Sequence, residues 1–220
     1  MPTWRLRARP PRGDAEALAI VHDRDRLHSH LEDAAHFPGG HAETLALPAT
    51  EAAVARAMAG AKAVLPIGAQ SSLTGGATPM GELVLSTARL NQIESIGADC
   101  VRVQAGVTLA ALDEALEKAG RYYPPAPTFT GAFVGGTIAT NAAGAATFKY
   151  GTTRDWVQAL TVVLPTGNVL DVERGATRAH PDGYFELQLA GGSVRVPVPR
   201  YRMPRLRLLR SSYCFRIFGF

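Results

Sequence analysis

The spacing of hydrophobic positions predicts two amphipathic helices. Apolar residues recur at helical spacing after Thr50 and again after Thr108, and threonine is a residue type that caps helix N-termini. Each pattern is followed by a glycine, Gly60 and Gly120, where a helix would end. The sequence therefore predicts one helix between Thr50 and Gly60 and another between Thr108 and Gly120.

Short apolar or alternating runs predict six strands between and after these helices. A Pro-Thr-Gly turn at Pro165–Gly167 separates the last two runs and predicts a β-hairpin. The predicted strands are Ala63–Leu65, Leu83–Ser86, Ile93–Ile96, Cys100–Gln104, Leu160–Leu164 and Asn168–Val172.

The N-terminal part has weaker patterns. Residues 1–14 are basic and predict a flexible lead-in, whereas a loose helical pattern over residues 14–47 predicts a helical lead into the domain. Five histidines lie in that second range, without the spacing or cysteine partners of a metal site. We interpret these histidines as surface residues and expect no metal site; they are His22, His28, His30, His36 and His41.

Proline and glycine positions suggest how the chain is divided. The proline-rich run at 122–127 predicts a stiff, extended connector, because proline fixes φ and restricts the preceding residue. A lobe boundary is predicted near residues 97–99. The predicted division is an N-terminal lead-in (1–40), a first lobe (41–98), an incomplete second lobe (99–204) and a non-native or disordered tail (205–220).

Composition places the 220-residue chain among globular proteins, since 46% of its residues are hydrophobic and 19% charged. The net charge of +4 is a property of the C-terminal region, because without the seven arginines after Leu187 the chain holds 16 basic and 19 acidic residues. Basic tails can bind nucleic acid or membrane surfaces. No nucleic-acid motif accompanies this one, so we expect no nucleic-acid partner. The arginines are Arg195, Arg200, Arg202, Arg205, Arg207, Arg210 and Arg216.

Cellular setting is indicated by what the sequence does not contain. No apolar run reaches the length of a membrane-spanning helix, and the N-terminus lacks the apolar core of a secretion signal. The two cysteines, Cys100 and Cys214, provide neither a disulfide framework nor metal-ligand spacing. A cytoplasmic protein without an integral membrane segment is expected.

Candidate chemistry concentrates in two glycine-rich stretches. Residues 124–151 combine glycine, alanine and threonine with almost no charge, and residues 63–76 form an apolar run that ends in a glycine-rich turn. Consecutive backbone N–H groups in such turns can bind an anion without lysine. Neither stretch matches a nucleotide P-loop or a dinucleotide fingerprint. Two interpretations follow: one long anionic ligand held at two places, or a ridge of small residues that packs between layers.

Three motifs resemble flavin oxidoreductases of the vanillyl-alcohol oxidase type, also called the p-cresol methylhydroxylase (PCMH) type. Residues 66–76 (PIGAQSSLTGG) resemble the first pyrophosphate loop of that family. Residues 134–144 (VGGTIATNAAG) with Tyr150-Gly151 resemble its second flavin loop, and residues 160–170 the strand and hairpin that follow. The likeness extends from about residue 45 to 171, and is greatest to the branch of D-lactate dehydrogenases and the glycolate oxidase flavin subunit.

The resemblance implies an α+β, two-lobed PCMH-type FAD-binding domain: a small α/β lobe, and a second lobe with a mixed sheet that is C-terminally incomplete. It implies FAD as the cofactor, held without a covalent bond because Ser71 and Ser72 stand where some relatives carry a flavin-linked histidine. The implied cofactor-binding residues are Pro66, Gly68, Ala69, Gln70, Ser71, Ser72, Leu73, Thr130, Gly131, Gly135, Gly136, Thr140, Asn141, Gly144, Tyr150 and Gly151.

The resemblance also implies a reaction, hydride transfer from a 2-hydroxy acid such as D-lactate or glycolate to flavin N5, with a 2-oxo acid as product. The family's substrate-binding groups come from later parts of its longer chains, so catalytic residues and the electron acceptor stay unassigned. Residues 205–220 no longer resemble the family, which predicts a truncated or frame-shifted product. The alternatives are a non-catalytic flavin-binding fragment and, more distantly, a cell-wall sugar-nucleotide reductase with the same fold.

Overall fold

Strands and short helices alternate along the chain in the computed structural model, which describes residues 3–199. The predictions for Cys214 and for residues 205–220 lie outside this range. The strands are β1 (Arg5–Arg7), β2 (Leu18–Val21), β3 (Leu45–Pro48), β4 (Val64–Ile67), β5 (Leu83–Ser86), β6 (Ile93–Ile96), β7 (Val101–Val103), β8 (Ala159–Val163), β9 (Val169–Glu173), β10 (Tyr184–Leu189) and β11 (Gly192–Pro197). The helices are α1 (Arg24–His28), α2 (Glu51–Ala59), α3 (Leu109–Lys118), α4 (Val134–Ala139), α5 (Thr147–Tyr150) and α6 (Thr153–Trp156).

A four-stranded sheet with the order β2-β3-β5-β4 forms the first part of the fold. Strands β3 and β4 run parallel to β5, and β2 runs antiparallel to β3. Leu45, Ile67 and Val84 are buried in a core on this sheet, and alanines of α2 pack with Ala46 and Leu85 in a second core. Because Ile67 is the buried last residue of β4, the core fixes the point from which the glycine-rich turn leaves the sheet.

Both predicted helices are present and begin with the predicted cap. The side-chain oxygen of Thr50 accepts a hydrogen bond from Ala53 N at the start of α2, and Thr108 accepts one from Ala111 N at the start of α3. Helix α3 buries one leucine face next to β6 and β7 and the start of α4. Gly120 follows α3 with φ +68°, a conformation that favours glycine. The buried leucines of α3 are Leu109, Leu112 and Leu116.

The remaining strands form smaller sheets. Strands β6 and β7 pair antiparallel, as do β8 and β9, and the predicted turn at Pro165–Gly167 joins the latter pair. The third sheet has the order β1-β10-β11, with β1 parallel to β10. All six predicted strands are present, with ends that shift by one or two residues. The predicted lobe boundary at 97–99 lies in the turn between β6 and β7, and the division into lobes stays a prediction.

The prediction of a helical segment over residues 14–47 is wrong for most of its length. Residues 18–21 form β2, which pairs antiparallel with β3, and only the five residues of α1 are helical. The apolar spacing of this segment is too irregular to distinguish a helix from a strand. Residues 18–21 form a strand because they pair with β3, and this long-range contact has no signal in the local sequence. Four of the five histidines are exposed and His30 is half-buried.

Two further local predictions require correction. Residues 5–7 of the predicted lead-in form β1, which pairs with β10, so this part of the lead-in is ordered in a sheet. The run at 122–127 is not extended throughout: residues 124–125 form a turn, and Ala126 has φ +39°. Proline restricts φ but permits a turn as readily as an extended chain.

Within residues 3–199, no helix has both the length and the hydrophobicity to cross a bilayer. In the same range, no group of three or more His, Cys, Asp or Glu side chains is placed to hold a metal ion.

An arginine from the N-terminal segment joins α2 to β9. Arg9 donates two hydrogen bonds to the Glu51 carboxylate, at 2.6 and 2.9 Å, and two to the Asp171 carboxylate, at 2.6 and 3.1 Å. Its backbone also exchanges two hydrogen bonds with Val169. The guanidinium of Arg9 is the main reason that the pKa of Asp171 falls from 3.8 to about 2. The N-terminal segment therefore connects the first sheet's helix to the β8–β9 hairpin.

Replacing Asp171 with asparagine should lower the free energy of unfolding at pH 7 by about 1 kcal/mol, a modest value because the carboxylate is partly exposed. The pKa of Asp171 is depressed in the folded protein, so its stabilising contribution is complete above its ordinary pKa and is lost as pH falls toward 2. The difference between wild type and D171N should therefore shrink between pH 4 and pH 2. Urea unfolding followed by circular dichroism at several pH values measures it.

The matched control is D99N. Asp99 is exposed and has no hydrogen-bond or ion-pair partner in the described part of the chain. This variant should unfold like the wild type at every pH, and an equal loss of stability in D99N and D171N would contradict the proposed role of the ion pair.

Candidate functional site

The first glycine-rich turn leaves the sheet at the end of β4. Residues 68–76 connect Ile67 to the segment that leads into β5. Gly75 has φ +73° and a Cβ added there would lie 3.0 Å from the Phe37 ring, so both the backbone and the space at this position favour glycine. Pro66 lies on β4 itself, where it pairs with Leu85.

Several backbone N–H groups of this turn have no acceptor. Within residues 3–199, no hydrogen bond is formed by the N–H groups of Ala69, Ser71 and Leu73. The Ser72 hydroxyl bonds to that of Thr74, at 2.8 Å, and the Leu73 side chain is 78% exposed. The N–H groups of Gln70 and Ser72 have no acceptor among the described residues either, and free N–H groups on consecutive residues of a turn are the arrangement that binds anions.

The second stretch contains a helix where the sequence predicted a loop. Helix α4 includes Gly135 and Gly136, two of the predicted cofactor-binding residues. Its first N–H groups are already used, since Val134 N donates to Val107 O at 2.9 Å and Gly135 N donates to Ala105 O at 2.8 Å. These bonds hold the start of α4 against the segment that precedes α3.

The packing leaves no room for a side chain at position 135, whereas an added Cβ at position 136 would make no contact. A Cβ added to Gly135 would lie 2.7 Å from the Ala105 Cβ, closer than real Cβ atoms approach, and 3.1 Å from the Ala105 carbonyl oxygen. A Cβ added to Gly136 would meet nothing within 4 Å. One glycine therefore permits the close packing of α4, and the next faces open space.

The two glycine-rich stretches meet at Gly68. A Cβ added there would lie 3.5 Å from the Phe133 Cβ and 3.9 Å from the Gly136 Cα. A Cβ at position 68 would make ordinary van der Waals contact with the start of α4, so the end of β4 and the start of α4 are neighbours in space although they are distant in sequence. The open face at Gly136 lies beside the turn whose N–H groups are free.

Residues that follow α4 are held by hydrogen bonds to α4 and α6 and by a close approach to residue 126. The Thr140 hydroxyl donates to Gly136 O at 2.9 Å, and Asn141, with φ +49°, accepts a bond from Arg154 N at 2.9 Å. A Cβ added to Gly144 would lie 2.0 Å from the Ala126 carbonyl oxygen. Thr140, Asn141 and Gly144 therefore fix the course of the chain after α4.

The other predicted site residues contact other parts of the chain. Thr130 accepts a hydrogen bond from Ala110 N at 2.8 Å, which places Thr130 and Gly131 beside the first turn of α3. Tyr150 contacts Tyr122 edge-to-face, with ring centroids 6.3 Å apart, and Gly151 adopts φ +82°. No hydrogen bond joins residues 150–151 to the first turn within residues 3–199.

Lys149 is the cation of this region. Its ammonium group lies 4.8 Å from the centroid of the Tyr150 ring. Hydrogen bonding to Lys149, and then to Tyr122, lowers the pKa of the Tyr150 phenol, while the same interactions raise the pKa values of Lys149 and Tyr122. The three side chains form one group at the end of the second stretch, in which the Tyr150 ring contacts both the Lys149 ammonium and the Tyr122 ring.

Three residues that contribute to this geometry were not predicted by the motifs. Phe133 packs against Gly68, while Ala105 and Val107 supply the carbonyls that anchor α4. Backbone carbonyls carry no residue-type signal. A small residue at position 105, facing glycine at 135, is a feature that only a contact between the two segments explains.

Comparison with known proteins shows which family the chain belongs to. Residues 42–173 match the family model described as "FAD binding domain". The chain belongs to this family of FAD-binding domains. FAD is therefore its cofactor, as the glycine-rich motifs implied, and the matched range agrees with the resemblance between about residue 45 and 171.

Curated relatives of this FAD-binding domain include dehydrogenases of 2-hydroxy acids. A D-lactate dehydrogenase from Anaerostipes hadrus is 45% identical over 136 residues, which are 59% of this chain and 28% of the relative. A D-2-hydroxyglutarate dehydrogenase from Xanthomonas citri pv. viticola is 39% identical over 157 residues, covering 68% and 33%. The chain thus spans about a third of the length of these relatives.

Solved structures confirm the fold of the FAD-binding domain. A chitooligosaccharide oxidase aligns with a TM-score of 0.64 at 22% identity, over 73% of this chain and 36% of the oxidase. At this identity the likeness concerns the fold. The predicted α+β, PCMH-type FAD-binding architecture is confirmed.

The two adjacent glycines of α4 predict opposite effects on stability. The Gly135→Ala change should lower the free energy of unfolding by about 1–3 kcal/mol, because its Cβ would collide with Ala105. The Gly136→Ala change should leave stability unchanged or raise it by up to about 1 kcal/mol, because alanine is the better helix former and its Cβ meets open space. Urea unfolding of the flavin-free protein measures both. Equal destabilisation by the two changes would contradict the packing described here.

Proposed function

We propose that the chain is the FAD-binding portion of an oxidoreductase that oxidises a 2-hydroxy acid of the D-lactate or glycolate type to the 2-oxo acid. The observation that carries the proposal is the meeting of the first turn and α4 at Gly68 and Gly136, beside free N–H groups. The relatives support the substrate class, since their names are those of 2-hydroxy-acid dehydrogenases.

The residues present fit the diphosphate of FAD. An anion of that size needs several donors at short range, and backbone N–H groups supply them without a mobile cation. Ala69, Ser71 and Leu73 have such groups free in the described part of the chain, and Gly68 places the turn beside α4. In this proposal the first turn holds the diphosphate.

The second stretch would hold the rest of the cofactor. The face of α4 at Gly136 is open, whereas Thr140 and Asn141 are bonded within the protein and fix the segment that borders this face. When bound, FAD supplies the hydride-accepting flavin N5. The contribution of these residues is to bind and orient the cofactor, and no residue is assigned to proton transfer.

We propose that the cofactor is held without a covalent bond. Ser71 and Ser72 occupy the positions where some relatives carry a flavin-linked histidine. Of the two, Ser71 is exposed and the hydroxyl of Ser72 bonds to Thr74. Neither side chain is a nucleophile with an adjacent base, which covalent attachment would need.

The chain should bind FAD more tightly than FMN, because FMN lacks the diphosphate bridge to adenosine that the first turn would bind. Titration of the flavin-free chain, followed by flavin fluorescence, gives both Kd values. The bound FAD should appear in the supernatant after acid precipitation of the protein. Flavin that stays in the precipitate would contradict non-covalent binding, and a folded chain that binds no FAD would contradict the proposal itself.

The Gly136→Ala variant tests whether the cofactor binds against the open face of α4. Since its Cβ would meet nothing in the flavin-free protein, a rise of about tenfold or more in the Kd for FAD would place the cofactor against this face. An unchanged Kd would show that FAD binds elsewhere.

The proposed oxidation predicts that D-lactate or glycolate, added without oxygen to the FAD-bound chain, bleaches the visible absorbance of the flavin. The matched control is L-lactate, which has the same charge and size. An FAD that resists all three acids but is reduced by dithionite would contradict turnover by this chain and would favour a flavin-binding unit without catalysis. Bleaching by a nicotinamide cofactor alone would favour a reductase instead.

A further inference from the structure

Gln70 occupies a backbone position in the first turn that residues with a side chain rarely adopt. Its φ is +51°, in the left-handed region. Its side-chain Nε2 donates to three backbone carbonyls, those of Glu32 at 2.8 Å, His30 at 3.1 Å and Ala77 at 3.2 Å. An amide nitrogen has two hydrogens, so at least one of them is shared. Both hydrogens of the carboxamide nitrogen are therefore used in bonds within the protein.

The backbone of Gln70 is tied to the same neighbouring segment. Its carbonyl accepts a hydrogen bond from Ala34 N at 2.9 Å. Next to it, the carboxylate of Asp33, which is only 3% exposed, accepts a bond from Ala77 N at 3.3 Å. Residues 30–34 are thus hydrogen-bonded to the turn at two points, Gln70 and Ala77.

We propose that Gln70 is a positioning residue for FAD: its carboxamide holds the first turn in the left-handed conformation that leaves the neighbouring N–H groups free for the diphosphate. This inference rests on the proposed function. It also changes the role of Gln70 from that implied by the sequence motif, where it was one of several residues that line the diphosphate.

The chemistry of the three acceptors makes the inference specific. All three are carbonyl oxygens, so only a donor satisfies them. An ionised glutamate has nearly the shape of glutamine but cannot donate, and it would place a negative charge beside both the carbonyls and the diphosphate. Glycine at this position suits the positive φ but makes none of the three bonds. The two substitutions therefore separate the need for donors from the need for conformational freedom.

The experiment compares wild type, Q70G, Q70E and the control Q158E in the 220-residue chain. Gln158 is exposed, and its side chain makes no hydrogen bond that the described residues show. FAD titration gives the Kd, and thermal unfolding without flavin gives the Tm. We expect Q70G and Q70E to raise the Kd for FAD by about tenfold or more while the flavin-free chain still folds with a Tm lowered by only a few degrees, and Q158E to match the wild type.

A second readout distinguishes a positioning role from general damage. A protonated carboxylic acid can donate one hydrogen bond, and the surrounding carbonyls favour the protonated form. The Kd of Q70E should therefore fall toward that of wild type as pH is lowered from 8 to 5, while the ratio of the Q70G and wild-type Kd values stays constant. Lost packing alone would give no such pH dependence.

Three results would overturn the inference. The first is an unchanged Kd for FAD in both Q70G and Q70E. The second is a Q70G chain that no longer folds without FAD, because Gln70 would then be required for the fold itself. The third is a folded wild-type chain that binds no FAD, which would overturn the proposed function as well, so the two failures are distinguishable.

Discussion

The close approach between the start of α4 and residue 105 is the constraint on which the candidate site depends. Helix α4 lies beside the end of β4 because Gly135 packs directly on Ala105, where an added Cβ would lie 2.7 Å from the Ala105 Cβ. The carbonyls of Ala105 and Val107 complete this anchorage. A side chain at position 135 would push α4 outward, separate the two stretches and open the site. Small residues are used here to bring backbones together.

The sheets that carry these elements are small, so their relative placement needs additional connections. Two-stranded sheets are marginally stable alone. Arg9 supplies one connection, since its guanidinium bonds to Glu51 on α2 and to Asp171 on β9. Gln70 supplies another by joining the first turn to residues 30–34. Both connections consist of a polar side chain that reaches groups distant in sequence, and both replace contacts that a larger core would provide.

Local signals account for the elements that the sequence predicted correctly. Threonine caps and leucine spacing were sufficient for α2 and α3, and turn residues were sufficient for the β8–β9 hairpin. Strands β1, β2, β3, β10 and β11 were not predicted, and for β1 and β2 the reason is that their pairing partners, not their own residues, determine that they are strands. The motifs identified both stretches of the site, but the contact of Gly68 with Gly136 is non-local, and nothing in either motif predicts it.

Left-handed residues that are not glycine show how the two stretches are held. Gln70 and Asn141 both have positive φ, at +51° and +49°, and each uses its side-chain amide to bond a backbone group in another segment. Glycine would adopt either conformation at lower energy but would leave those backbone groups without a partner. These side-chain amides therefore fix the geometry of their segments, although the backbone conformation costs more energy than it would for glycine. A binding turn loses affinity when its donors are disordered, so this fixed geometry favours a ligand held mainly by main-chain N–H groups.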